Sequence, residues 1–163
     1  MEPDSFVEGG YPVEPYAEVI PGLFQASAAH SPDEMLSMFD VLIDVGGRDR
    51  WHGDPDPRYR FHPIDDVPSI VDAEMIHSVG ERIAALVSEG KHVAVNCLGG
   101  VNRSGLLVGR ALVELGYTPE EAIEAVRRAR GPMALSNQHF VRFLLVHCTP
   151  RALARRRQLS LPL

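Results

Sequence analysis

Cys97 and Arg103 are separated by Leu98-Gly99-Gly100-Val101-Asn102, and Ser104 follows directly. A thiol and a guanidinium at this spacing can face one centre only if the chain between them curls. Gly99 and Gly100 supply the backbone freedom for that. A turn of this length can point its N–H groups inward, forming a nest that binds an anion at the start of a helix. Residues 98–102 then become main-chain donors, with Cys97 at the floor, where N–H dipoles favour negative charge. Arg103 adds a planar fork suited to two oxygens of a phosphate. A nucleophile beneath a phosphate cradle points to phosphoryl transfer onto cysteine. A lone cysteine is more often a packed core residue, so the flanking elements must decide.

Those elements agree with the reading. His92 to Val95 is a short β-branched run bounded by Gly90 and Lys91, as expected of a buried strand. An apolar-periodic helix follows from Arg103 to Leu115 and stops at Gly116. A cation at a helix start opposes the macrodipole unless an anion compensates. Upstream, Val19 to Gln25 reads as one edge strand that tolerates Pro21. Ser31-Pro32-Asp33-Glu34 is a capping box opening a helix to Phe39. Val41 to Val45 is a compact strand, and Gly46 to Arg58 a loop. Tyr59 to Ile64 alternates as a strand until Asp65, Asp66, Val67 and Pro68 break it. Asp72 caps a helix running to Glu89, with Ile76, Val79, Ile83, Leu86 and Val87 on one face.

Downstream, Thr118-Pro119-Glu120-Glu121 opens a helix through Arg130, whose dipole Arg127, Arg128 and Arg130 complement. Ser136 can cap a last helix over Asn137 to Cys148, closed by Pro150. The residues after it show no periodicity. Alternating strands and helices imply an α/β fold with a mainly parallel sheet of four to five strands flanked by helices. The segments Gly46–Arg58, Asp65–Pro68 and Cys97–Arg103 then lie on one rim, beyond the carboxyl ends of the strands. The expected organisation is a lead-in over 1–17, one catalytic domain over 18–150 and a basic tail over 151–163.

At 163 residues with 45% hydrophobic content, the chain can bury a core as one domain. Its formal charge of −6 argues against a general nucleic-acid binder. Two distant cysteines make neither a disulfide framework nor a zinc spacing, as expected in a reducing compartment. His52, His62 and His92 follow no ligand pattern, so no metal is expected. The first ten residues lack a basic and apolar leader pattern. No uncharged run approaches the roughly 20 apolar residues of a membrane span. A cytoplasmic protein without membrane contact is the expectation.

The segment around Cys97 resembles the phosphate-binding loop of cysteine-dependent protein phosphatases, His-Cys-two residues-Gly-two residues-Arg-Ser/Thr, and most of all the dual-specificity group. Cys97, Gly100, Arg103 and Ser104 match, and Asn96 replaces the family's His. Val19 to Ser27 is similar to the family's opening strand, and the segment starting at Val41 to its second. Ser136-Asn137 and Phe140 resemble the element before its last helix. The resemblance implies a protein-tyrosine-phosphatase-like fold, Cys97 as nucleophile, and a Ser104 hydroxyl that assists the sulfur's departure. The family's Pro-x-x-Asp spacing aligns with Pro63-Ile64-Asp65-Asp66, so the resemblance implies Asp66 rather than Asp65 as general acid. Asn137 would brace the loop or cap the helix, and Asn96 would donate to a loop carbonyl. Arg48, Trp51 and His52 would form either a substrate lip or a plain polar loop.

No cofactor is implied. The expected partner is a phosphorylated protein or peptide, carrying phosphotyrosine or also phosphoserine and phosphothreonine. Two alternatives remain. Val-Asn-Arg-Ser is similar to the Asn-Arg-Thr of RNA 5′-triphosphatases, although the acidic charge and the lack of a second cation in the loop argue against RNA. Asn96 would also fit a weakly active phospho-binding module.

Overall fold

The computed structural model of the chain describes residues 10–12, 14–66 and 72–159. Five strands form one sheet in the order β1-β2-β5-β3-β4, with β1 Tyr16–Ile20, β2 Leu23–Ala26, β3 Val41–Asp44, β4 Tyr59–Phe61 and β5 Val93–Asn96. β1 is antiparallel to β2, and every other pairing is parallel. The sheet is therefore mainly parallel, as expected. The single edge strand expected over Val19 to Gln25 is instead a hairpin. Pro21-Gly22 is its turn, with Gly22 at φ +86° and its N–H donating to Glu18 Oε1 at 3.0 Å. Proline followed by a residue at positive φ is turn chemistry, and it wins over strand continuity here.

Six helices complete the chain: α1 Pro32–Met38, α2 Ala73–Ser88, α3 Arg103–Glu114, α4 Pro119–Arg130, α5 Gln138–His147 and α6 Pro150–Leu159. Both expected capping boxes are present, Ser31 with Glu34 and Thr118 with Glu121, and Asp72 caps α2. The expected Ser136 cap is corrected. Asn137 is the N-cap of α5, its side-chain oxygen accepting from the His139 N–H. The structure also corrects the segment after Pro150, which forms α6. Only Leu153 of this helix is buried, so no apolar stripe could announce it. Arg156 instead fastens it to Glu74 and Glu81 of α2, and Arg157 to Glu114 of α3. Of the lead-in, Tyr16 and Ala17 belong to β1, and the Pro15 carbonyl accepts from the Ser27 N–H at 2.8 Å. Residues 1–9 lie outside the described residues, as do Val67 and Pro68.

Strand alternation sorts side chains between the two faces of the sheet. Phe24, Ala26, Leu42 and Ala94 meet Met35, Leu36 and Phe39 around α1. Leu23, Val41, Ile43, Val93 and Val95 meet α2, α3, α4 and α5 on the other face. The same parity places Gln25 and Cys97 on the α3 side, and Asp44 and Asn96 on the α1 side. α3 is buried from Ser104 through Val113, so the segment before it is anchored at both ends. β2, β3, β4 and β5 all end on one rim, where residues 45–58, 62–66 and 97–102 gather. No helix among the described residues is long and apolar enough to cross a membrane.

Candidate active site

Residues 97–102 link the end of β5 to the start of α3, and three of their carbonyls face the scaffold. Leu98 C=O accepts from the Ala28 N–H at 3.0 Å, and Val101 C=O from the Leu135 N–H at 3.1 Å. Gly100 C=O accepts from Gln25 Nε2 and Arg130 Nε, each at 3.1 Å. In a trans peptide the next N–H points opposite to the carbonyl. The N–H groups of Gly99, Val101 and Asn102 are thereby turned away from the scaffold. Gly100 sits at φ +64°, and a Cβ there would lie 2.6 Å from both the Ala26 backbone and Arg130 Nη2. A side chain at 100 would push the loop off the sheet.

Cys97 is buried, with its sulfur 3.3 Å from Ser104 Oγ. Gln25 Nε2 reaches the same hydroxyl at 3.2 Å. Cys97 and Arg103 line one cavity of about 580 Å³ with Ala28, Asp44, Gly46, Gly47, Arg48, Arg50 and Leu98. Arg103 Nε is buried without a hydrogen-bond partner, and no carboxylate among the described residues pairs with this guanidinium. The structure thus brings thiol, hydroxyl and guanidinium together at the rim.

Asp66 is attached to this loop from the side. Asn137 Nδ2 donates to Asp66 Oδ1 at 2.8 Å, and Asn102 Nδ2 to Asp66 Oδ2 at 3.4 Å. Asn102 Oδ1 in turn accepts from the Asn137 N–H at 2.9 Å and from Ser136 Oγ at 3.3 Å. Asn137 therefore caps α5 and braces the loop at once, the two roles left open on sequence. Because its side chain is engaged there, Asn102 makes no side-chain cap on α3, and the helix's first N–H groups remain available to an anion. Asp65 and Asp66 are both exposed, but among the described residues no hydrogen bond ties Asp65 to the loop.

The dual specificity phosphatase catalytic domain matches residues 23–149 of this chain. The chain belongs to that family. A rat protein named RNA/RNP complex-1-interacting phosphatase is 26% identical over 121 residues, 61% of this chain and 37% of that protein. A tyrosine-protein phosphatase of Autographa californica nuclear polyhedrosis virus is 41% identical over 58 residues, 35% of this chain and 34% of that one. The chain spans little more than a third of the length of these curated relatives. Human DUSP28 superimposes with a TM-score of 0.73 at 24% identity, covering 86% of this chain and 96% of that structure. That likeness concerns the fold.

In this dual-specificity phosphatase family member, two residues missed by sequence reasoning support the loop. Gln25 is a fully buried polar residue on a core-facing strand position, and that break in the apolar alternation was the signal for it. Arg130, assigned on sequence to the helix dipole, is buried behind the loop, donating to Gly100 C=O and, at 2.8 Å, to Glu14 C=O. Burial lowers its pKa to about 10, while the charges of Cys97 and Glu14 oppose that shift. It stays cationic at neutral pH, on the scaffold side of the loop. Arg127 likewise holds Ala134 C=O and Leu135 C=O. Asn96 corrects an expectation. Both of its side-chain polar atoms are buried without a partner among the described residues, and the loop carbonyls it was expected to hold are taken by Gln25, Arg130 and main-chain donors.

The far wall of the cavity is built from the loop after β3. Asp44 is buried and accepts from the Gly46 N–H at 2.9 Å, Arg50 Nε at 3.1 Å and Tyr59 Oη at 3.2 Å. Burial, then the neighbouring Asp44 carboxylate, pushes the Tyr59 pKa upward, so the phenol remains a donor. Arg50 also donates to Ala28 C=O and His30 C=O. Of the three residues expected as a lip, Arg48 lines the cavity and Trp51 stacks on Tyr59 at 5.3 Å. His52 is exposed and is not among the lining residues.

Proposed function

We propose that this chain hydrolyses phosphomonoesters, phosphotyrosine on proteins or peptides foremost, through a phosphocysteine intermediate. The Cys97 sulfur attacks phosphorus while Asp66 protonates the departing ester oxygen, so an S–P bond forms as the O–P bond breaks. Arg103 and the N–H groups of residues 98–102 bear the charge on the phosphoryl oxygens. Water then attacks phosphorus and gives its proton to Asp66. The S–P bond breaks, with the Ser104 hydroxyl donating to the leaving sulfur, and inorganic phosphate departs. No step calls for a metal or an organic cofactor.

The observation that carries this reading is the 3.3 Å contact of Cys97 Sγ with Ser104 Oγ, in a cavity shared with an unpaired Arg103. The test is turnover of an aryl phosphate by the wild type and by Cys97→Ser, with mass spectrometry of acid-quenched enzyme. Steady phosphate release, a phosphorylated Cys97 peptide, and loss of both in Cys97→Ser are expected. Turnover that survives in Cys97→Ser would end the proposal.

A second reading, an RNA 5′-phosphatase, draws on the likeness to phosphatases named for interacting with RNA/RNP complex-1. Turnover of 5′-triphosphorylated RNA beside a phosphotyrosine peptide separates the two.

A further inference from the structure

The cavity above Cys97 carries two guanidinium groups that no acid of the described chain neutralises. Arg103 is one. The other is Arg48, which lines the same cavity, is exposed, and has no hydrogen bond or ion pair among the described residues. Arg50, two residues on, is different: its charge is met by buried Asp44 at 3.1 Å and its Nη1 by two main-chain carbonyls, while only its buried Nη2 lacks a partner among the described residues. A single phosphomonoester group engages Arg103 and the loop N–H groups. That leaves one cation on the rim with nothing to meet.

The loop holds this cation in place. On one side of Arg48 the Gly46 N–H is fixed to Asp44 Oδ1, and on the other the Arg50 N–H is fixed to Tyr59 Oη at 3.3 Å. Trp51 stacks on Tyr59 with ring planes 26° apart, and its indole N–H closes onto Asp54 C=O at 2.8 Å. A cation carried on an anchored backbone gives up less entropy when it meets a ligand. Another part of the cavity lining is apolar: Leu98 stands 73% exposed beside the two cations. An apolar contact beside two cations suits a phosphorylated side chain with an acidic neighbour. The chain's formal charge of −6 disfavours a long polyanion beyond the cavity.

Resting on the phosphopeptide reading above, we infer that Arg48 is a specificity residue that selects phosphopeptides bearing a second negative group, a carboxylate or another phosphate, next to the phosphorylated residue. Arg103 holds the group that reacts, and Arg48 holds the one that does not.

The test compares two phosphotyrosine peptides, one with Glu on both sides of the phosphotyrosine and one with Gln there, at low salt. The kcat/KM ratio of the pair is measured for wild type, Arg48→Ala and Arg48→Glu, because a ratio within one protein cancels any general loss of rate. Wild type should prefer the acidic peptide by about three- to tenfold, Arg48→Ala should show no preference, and Arg48→Glu should invert it. The same ratio is read without turnover, as fluorescence anisotropy of the two labelled peptides on Cys97→Ser with and without each Arg48 substitution. A peptide with a second phosphotyrosine in place of one Glu separates phosphate from carboxylate. Equal ratios in all three proteins, by both readouts, overturn the inference. Failure of wild type to hydrolyse any aryl phosphate would instead sink the phosphatase reading, and the anisotropy ratio would still decide Arg48. Arg48-dependent turnover of 5′-triphosphorylated RNA exceeding that of the acidic peptide would overturn the peptide as occupant.

Discussion

Helix α3 carries two arginines seven residues apart, and they sit in opposite electrostatic settings. Arg110 is fully buried, at 0% exposure, and its donors reach His77 Nδ1 at 3.0 Å, Glu81 at 3.1 Å and Glu114 at 3.0 Å. Arg103, at the start of the same helix, has a buried Nε without an acceptor and no carboxylate partner among the described residues. A cation taken from water costs several kcal/mol unless its charge and hydrogen bonds are met. The fold meets them for Arg110 from within and leaves Arg103 without an internal partner among the described residues. A glycine makes each arrangement possible. At Gly80 a Cβ would overlap the Arg110 side chain, and at Gly100 it would strike the Ala26 backbone and Arg130. Arg130 lies between the extremes, buried and held by main-chain carbonyls, with one guanidinium nitrogen unpartnered.

This contrast can be broken in several ways. The largest expected effect is at Arg103. Arg103→Lys should lower kcat/KM for an aryl phosphate by about 10³-fold or more, since an ammonium lacks the two-pronged geometry, with no loss in thermal midpoint. A destabilised but active Arg103→Lys would reverse the roles assigned to the two arginines. Next is the acid. Asp66→Asn should reduce turnover of phenyl phosphate by about 10²-fold and that of an activated nitrophenyl ester far less, whereas Asp65→Asn should leave both unchanged. If Asp65→Asn shows that leaving-group dependence instead, the attachment of Asp66 to Asn137 and Asn102 has another purpose.

Arg110→Met probes the paired side. It should cost about 2–4 kcal/mol of stability in denaturant melts, because Glu81, Glu114 and His77 lose their common partner, while activity per folded molecule is kept. The cysteines offer a similar comparison. Burial pushes the Cys148 thiol up to about 12, with the Arg110 charge opposing. Alkylation at neutral pH should therefore modify one thiol per chain, and none in Cys97→Ser. Modification of Cys148 at comparable rate would show that its site opens readily.

The smallest effect concerns pH. Burial, then the charges of Arg110 and Arg156, lowers the His77 pKa to about 4 from the ordinary 6.5. The unfolded chain takes up this proton first, so the contribution of neutral His77 is complete above about pH 6.5 and is lost as pH falls towards 4. His77→Gln should flatten that part of the stability profile without changing the pH dependence of turnover. Identical acid limbs in the two proteins would show that His77 is not a source of the slope.

Local signals in the chain were legible. Ser31 with Glu34 and Thr118 with Glu121 marked their helices because a capping box closes within four residues. The Cys97 to Ser104 spacing indicated the loop and its helix for the same reason. Pro21-Gly22 was also local, yet the apolar alternation on either side hid the hairpin. α6 was hidden because it is held by Arg156 and Arg157 to carboxylates far away in sequence, and a helix fastened by charge shows no apolar stripe.

From the order of its residues alone, this protein has an α/β architecture, a cysteine and an arginine flanking a five-residue turn at the end of a central strand, and an aspartate on a neighbouring rim loop. Those features rest on interactions spanning a few residues, which composition and period encode. Only the tertiary structure decides that Gln25 and Arg130 hold the loop, that Asn96 does not, that Asn137 reaches Asp66, and that Arg48 shares the cavity of Cys97. Each of these is a contact between segments brought together by sheet order and helix packing. Whether a polar group there is paired or left open depends on distances that no spacing along the chain contains.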